Sequence, residues 1–187
     1  MRLLYGASYK KRYSVVSDLI SQGASVLEIC CGCGYLYEGF LKSKRVTYTG
    51  MDLIPRLQSR LRKLNVQVIN GDVMCLQFPS CDYCIMLGSL YHFKNSEFEI
   101  IDKMSRAGAT CIILEPVVNL SSARNPILRK IANLLSYVPN TSSSHRLGSN
   151  DLAEIFSDRK FDILRNEKVL DDRYQLIEFK RSRHDSK

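Results

Sequence analysis

Acidic residues placed at or just past the ends of short apolar runs mark where this sequence could do chemistry. Glu28 lies in Val26-Leu27-Glu28-Ile29, immediately before Cys30-Cys31-Gly32-Cys33-Gly34; Asp52 ends the run 45–51; Asp72 follows Asn70-Gly71; Glu115-Pro116 closes the run 109–114. Residues 26–29 are too few for a helix and read as a buried strand stopping at Gly32 and Gly34, which permit positive φ and close approach by a ligand. Beyond them, 35–42 can run as a helix whose N–H groups face the turn and attract a polar or anionic group. Asp52 comes 20 residues after Gly32, the separation at which a second parallel strand delivers a carboxylate to ribose hydroxyls. Its alternative is a helix cap before Ile54-Pro55. With Asp72 after a third strand, these groups form a polar crescent suited to an adenosine-containing ligand. A dinucleotide fingerprint needs a third glycine where this chain has Tyr37, and no Gly-Lys-Ser/Thr marks a phosphate loop.

The elements that would carry these groups alternate. Strands are expected at 26–29, 45–51, 66–69, 81–87 and 109–114, and helices at 9–21, 35–42, 56–64 and 96–106. Such alternation implies a doubly wound α/β fold, a mostly parallel sheet with helices on both faces. The chain reads as a single domain, 1–187, in which the N-terminal helix within 1–22 either packs on the body or forms a lid. Residues 117–148 read as an insertion, with Arg124, Arg129 and Lys130 beside an apolar stripe, and either cap a substrate, lie as a helix on a membrane surface or pack on the sheet. After Ser149-Asn150-Asp151 as cap come a helix at 152–157 and strands at 161–168 and 173–179.

Composition sets the class. Of the 187 residues 45% are hydrophobic, enough for one sizeable core, and no run approaches a membrane span. Seven cysteines, an odd number without the spacing of a secreted disulfide framework, suit a reducing cytoplasm. Cys81-x-x-Cys84 and the cluster at 30–33 raise a metal site, yet they fall in or beside strands, where cysteine serves as a small hydrophobe; no metal is expected. The net charge of +8 is spread along the chain. Its clusters, Lys10-Lys11-Arg12, 42–45, and Arg56, Arg60 and Lys63 on one helical face, read as solvated surface, though they could attract RNA, anionic lipid or a phosphorylated substrate.

Taken in order, these motifs resemble those of the class I S-adenosylmethionine-dependent methyltransferases, whose first motif runs acid, three residues, Gly, any, Gly, here Glu28 to Gly34. The resemblance spans about residues 24–118. It implies a seven-stranded Rossmann-like sheet whose final strand, 173–179, inserts antiparallel, with S-adenosyl-L-methionine as cofactor. Glu28, Cys30, Gly32 and Gly34 would hold its methionine part, Asp52 the ribose, Leu53 and Val73 the flanks of the adenine, and Asp72 the adenine amino group. Leu87 and Gly88 would border the sulfonium. Many relatives have Gly-Cys-Gly-Thr-Gly, and the loss of the first glycine leaves the overall assignment intact but the backbone geometry at Cys31 open.

The reaction implied is in-line attack of a nucleophile on the sulfonium methyl, in which positioning supplies much of the rate. A base is needed only for an alcohol, amine or phenol. His92 is the best-placed candidate, histidine being the side chain that titrates near neutrality, and Tyr91 would assist or wall the pocket. The alternative for His92 is a cap on the following helix, and Glu115 competes as a substrate contact. No Gly-x-Ser-x-Gly elbow surrounds Ser89, so hydrolase chemistry is not indicated. A small-molecule, lipid or glycan-precursor acceptor is favoured. The basic balance supports RNA instead, but Leu87-Gly88-Ser89-Leu90 lacks the Asn/Asp-Pro-Pro-aromatic signature of many base-methylating relatives and no RNA-binding module is evident. A non-catalytic binding partner of the same fold is the third reading.

Overall fold

The computed structural model describes residues 8–117, 147–157 and 160–183. Its chain order is α1 (Ser8–Asp18), β1 (Ser25–Ile29), a π-helical turn (Tyr37–Leu41) continuing into a 3-10 turn (Lys42–Lys44), β2 (Thr47–Asp52), α2 (Ser59–Arg62) and β3 (Gln67–Asn70). Then follow β4 (Cys81–Leu87), a 3-10 turn (Leu90–Phe93), α3 (Glu97–Ala107), β5 (Gly108–Pro116), α4 (Ser149–Ile155), β6 (Phe161–Val169) and β7 (Tyr174–Arg181). The seven strands form one sheet in the order β3-β2-β1-β4-β5-β7-β6. Strands β1 to β5 run parallel, whereas β7 is antiparallel to both β5 and β6. The inserted antiparallel strand is as expected.

Alternation along each strand divides the core into two layers, as the pleat requires. Leu27, Ile29, Cys84, Met86, Cys111, Ile113, Ile177 and Phe179 face α3 and α4, packing with Ile100, Ile101, Met104, Leu152 and Phe156. Val26, Tyr48, Ile85, Ile112, Leu114 and Leu176 face the other way, onto Tyr13, Val16 and Ile20 of α1 and onto Leu36, Leu41 and Leu61. Burial on both faces explains the continuous apolar runs of β4 and β5. The outer strand β6 is largely exposed, and a register shift between Ile163 and Arg165 interrupts its pairing, a common device on an edge strand.

Several expected elements take different forms. The helix over 35–42 is a π-helical turn followed by a 3-10 turn that ends on Arg45 in the left-handed region. Here Tyr37 packs on Tyr48 while Tyr35 and Phe40 pack on Tyr13, and the wider turn lets closely spaced rings reach two different partners. The helix over 56–64 shrinks to Ser59–Arg62. Gln58, fully buried, turns inward and donates from Nε2 to the carbonyls of Asp52 and Ile69, 3.1 and 3.0 Å away. Arg56 and Lys63 therefore lie outside that helix. Helix α4 starts three residues before the expected 152, because Gly148, not the Ser149-Asn150-Asp151 stretch, occupies its cap; Gly148 N donates to Asp151 Oδ2 at 2.7 Å. Most of the expected 117–148 insertion, Arg124, Arg129 and Lys130 included, lies outside the described residues, as do residues 1–7.

Candidate functional site

Register sets the site. Ile29 pairs with Met51 on one side and Met86 on the other, Asp52 with Asn70, and Leu87 with Leu114. The residues following β1, β2, β3, β4 and β5 therefore line one edge of the sheet, its carboxyl edge, where open α/β sheets bind ligands.

The turn after β1 is tightly tied. Cys31 N donates to Met51 O and Gly34 N to Cys31 O, both at 3.0 Å, and Gly32 N donates to Asp52 Oδ2 at 2.8 Å. Gly34, at φ 71°, must be glycine, since a Cβ there would lie 2.2 Å from Leu61 Cδ2. Gly32, at φ 55°, has nothing among the described residues within 4 Å of where its Cβ would stand, so its backbone faces space that those residues leave open. The open geometry at Cys31 moves one residue back: the positive φ, 55°, falls on Cys30, the residue that occupies the first glycine's place in the turn. Cys31 is buried and packs against Gly50, where a Cβ would come within 2.9 Å of its sulfur. Burial pushes the thiols of Cys30 and Cys31 far up, so neither is a nucleophile at neutral pH.

Asp52 is 8% exposed. Besides Gly32 N on Oδ2, its Oδ1 accepts from Ile54 N at 2.9 Å, so the carboxylate is held from two sides. Asn70 Nδ2 donates to the carbonyls of Asp52 and Leu53, at 2.9 and 3.2 Å, and fixes the backbone there. Leu53, 61% exposed, is a large apolar side chain open to solvent beside that carboxylate. On the next strand end, Asp72 is exposed and accepts from Met74 N at 2.9 Å, while Val73 is buried in the core.

Glu28 is buried at the end of β1, and Tyr48 Oη donates to its Oε2 at 2.5 Å. Desolvation raises its pKa to about 7, against the opposing pull of the Tyr48 hydrogen bond and the Arg12 charge; the Asp52 charge raises it further. Burial and the Glu28 charge likewise push the Tyr48 phenol well up.

Past β4, Gly88 takes φ 60° and donates to Leu114 O at 2.8 Å. Ser89 is buried with its hydroxyl on Leu87 O at 3.2 Å, a backbone contact. Glu115, 1% exposed, accepts from Leu90 N at 3.1 Å and thereby anchors the start of the turn carrying Tyr91 and His92. Those two half-buried rings lie 4.0 Å apart, tilted by 42°.

Two cations lie beside the candidate site: Arg12, which sequence reasoning left among the surface charges, and Lys103, which it did not single out. Arg12 is half-buried while Lys10 and Lys11 are exposed, and its Nη1 lies 3.7 Å from where a Cβ on Gly88 would stand. The signal was available, since Arg12 stands four residues before the buried Val16, on the same face of α1. Lys103 of α3 donates to the carbonyls of Val73, Met74 and Leu76 at 2.7, 2.8 and 2.7 Å, holding the segment that follows β3. Nothing in sequence spacing links position 103 to 73–76.

The cysteines are free, and among the described residues no three His, Cys, Asp or Glu side chains gather as a metal site would require. No helix among the described residues is long and apolar enough to cross a membrane.

Strand order, the antiparallel seventh strand and the glycine turn with its paired acid together define the class I S-adenosylmethionine-dependent methyltransferase fold. Residues 26–109 match the model of the methyltransferase domain family. The ribosomal RNA small subunit methyltransferase A of Mesomycoplasma hyopneumoniae (strain 232) is 29% identical over 101 residues, 48% of this chain. The match covers only 39% of that relative's length. Among solved structures, human N-acetylserotonin methyltransferase in complex with S-adenosylmethionine is similar with TM-score 0.65 and 15% identity, over 94% of this chain and 52% of that one. The PH0226 protein from Pyrococcus horikoshii OT3 gives TM-score 0.63 and 18% identity, over 95% and 92%.

Proposed function

We propose that this chain transfers a methyl group from S-adenosyl-L-methionine to a small-molecule, lipid or glycan-precursor acceptor. The observation that carries the cofactor half is the Gly32 to Asp52 pairing: an open glycine backbone bonded to a carboxylate held by two N–H groups, with exposed Leu53 beside it. A ribose fits the carboxylate, whose oxygens keep acceptor capacity beyond those two bonds, and an adenine face fits Leu53. Asp72, exposed one strand further on, suits the adenine amino group, and Val73 would flank the adenine with Leu53. Glu28, Cys30, Gly32 and Gly34 line the place of the methionine part, and Leu87 and Gly88 that of the sulfonium. When bound, the cofactor supplies an electrophilic methyl on sulfur. The chain's part is to orient the acceptor in line with it and exclude water, and for a hydroxyl or amine acceptor to accept a proton at His92, with Tyr91 walling the pocket.

The acceptor preference rests on the Leu87-Gly88-Ser89-Leu90 end of β4, half-buried at Leu87 and Gly88 and buried at Ser89 and Leu90, which stands where many base-methylating relatives have Asn/Asp-Pro-Pro-aromatic. RNA is the second reading, favoured by the +8 charge and by the ribosomal RNA methyltransferase among the relatives.

Calorimetry with S-adenosylhomocysteine tests the cofactor; no binding, or binding untouched by Asp52→Ala, overturns the proposal in favour of a non-catalytic role. Transfer of labelled methyl to extracted small molecules and lipids is expected, and transfer to RNA with a steep salt dependence of RNA binding would assign the second reading instead.

A further inference from the structure

Positive charge is spread along the sequence but not around the molecule. Helix α1, the turns over 37–45 and α2 cover one face of the sheet through Tyr13, Val16, Leu36, Leu41 and Leu61. Residues 8–18, 37–45 and 56–63 hold ten lysines and arginines against Asp18 and Glu38. On the other face, α3 and α4 hold five carboxylates against Lys103 and Arg106. The first face is therefore a cationic plate, and one-sign charge repels itself without helping the core beneath. Some of its cations have internal work. Lys44 Nζ donates to the carbonyls of Ser17 and Ile20 at 2.6 and 2.8 Å, tying the 3-10 turn to the end of α1, and Arg60 pairs with Glu38, tying α2 to the π-helical turn. The others do not: Lys10 and Lys11 of α1, Lys42 and Arg45 at the ends of the 3-10 turn, and Arg62 and Lys63 at the end of α2 are exposed. Among the described residues none of these six pairs with a carboxylate.

We propose that this face docks on an anionic lipid surface, the cations of α1, the 3-10 turn and α2 meeting headgroup phosphates. The charge calls for a polyanion, and the rings decide which one. Single-stranded RNA is held by exposed aromatics on which bases stack, but Tyr35, Tyr37 and Phe40 on this face are half-buried and packed against Tyr13 and Tyr48. What remains is a set of cations on neighbouring elements already fixed to one another, which suits a plane of phosphates and loses little freedom on contact. The plate lies on a face of the sheet, so docking leaves the carboxyl edge with Asp52 and Asp72 accessible. The proposal goes beyond the methyltransferase reading and does not depend on the acceptor.

Co-sedimentation of the full chain with vesicles tests it. Phosphatidylcholine vesicles with about 30% phosphatidylglycerol should bind the chain in about 50 mM salt and release it in about 500 mM, and pure phosphatidylcholine vesicles should not bind it. Lys42→Glu with Arg45→Glu, and Arg62→Glu with Lys63→Glu, should each weaken binding by at least about 25-fold, at about fivefold per cation removed. Lys94→Glu with Lys168→Glu, outside that face, should change it by no more than about twofold. Binding that ignores phosphatidylglycerol content, or equal weakening by all three pairs, overturns the proposal. Tighter binding of the wild type to a single-stranded RNA oligonucleotide than to the anionic vesicles also overturns it and assigns the plate to RNA. If a face pair does not fold, the lipid-composition and RNA comparisons on the wild type decide. Calorimetry with S-adenosylhomocysteine keeps the two readings apart: the face variants should bind it as the wild type does, and a wild type that docks without binding it overturns only the methyltransferase reading.

Discussion

Replacing Glu28 by glutamine should alter how stability depends on pH more than any other single substitution in the site. Folding carries this carboxyl from its ordinary pKa of 4.5 to about 7, so between those values the folded chain holds a proton that the unfolded chain has lost. The protonated form is therefore the one that folding favours. Its stability contribution is complete below 4.5, declines as pH rises toward 7 and is gone above it. At about 1.4 kcal/mol for each tenfold change in proton affinity, the interval corresponds to about 3 kcal/mol. Glu28→Gln keeps an acceptor for Tyr48 Oη and removes the titration. Urea denaturation at pH 5 and pH 8 should show the variant gaining about 3 kcal/mol on the wild type between the two. Parallel pH profiles would refute the buried, uncharged Glu28. The same variant should weaken S-adenosylhomocysteine binding at pH 8, where an ionised Glu28 would meet the ligand's ammonium.

Gly34→Ala should cost about 3 kcal/mol in chemical denaturation, from left-handed strain together with the collision against Leu61. At position 30 the backbone alone is at issue: Cys30→Gly should shift stability by less than about 1 kcal/mol, whereas the similarly sized Cys30→Val should lose about 2 kcal/mol or more, because a β-branched residue resists φ 55°. Equal losses for the two would contradict a left-handed Cys30. Lys103→Met leaves three carbonyls without their cation and should cost about 2 kcal/mol, with faster amide exchange concentrated in 73–78; uniform exchange changes would count against a local tether.

The amino-acid pattern by itself located all seven strands to within a few residues, because runs such as Cys81–Leu87 and Gly108–Pro116 must be covered on both faces and no other element fits their length. It also put Glu28, Asp52, Asp72 and Glu115 at strand ends, since a parallel sheet leaves those groups nowhere else to go. Spacing was silent on what depends on contacts between distant segments. Tyr48 reaches Glu28 across 20 residues and Lys103 reaches Val73 across 30, and neither partner is marked by any local period. The helical period over 35–42 gave way to a π-helical turn because aromatic rings had to meet Tyr13 and Tyr48. Arg12 looked like one more surface cation until α1 was laid across the sheet. Burial, which lifts Glu28 toward neutrality, and proximity, which brings Arg12 over Gly88, are properties of the assembled core; local sequence sets the groups, and tertiary packing sets the field they act in.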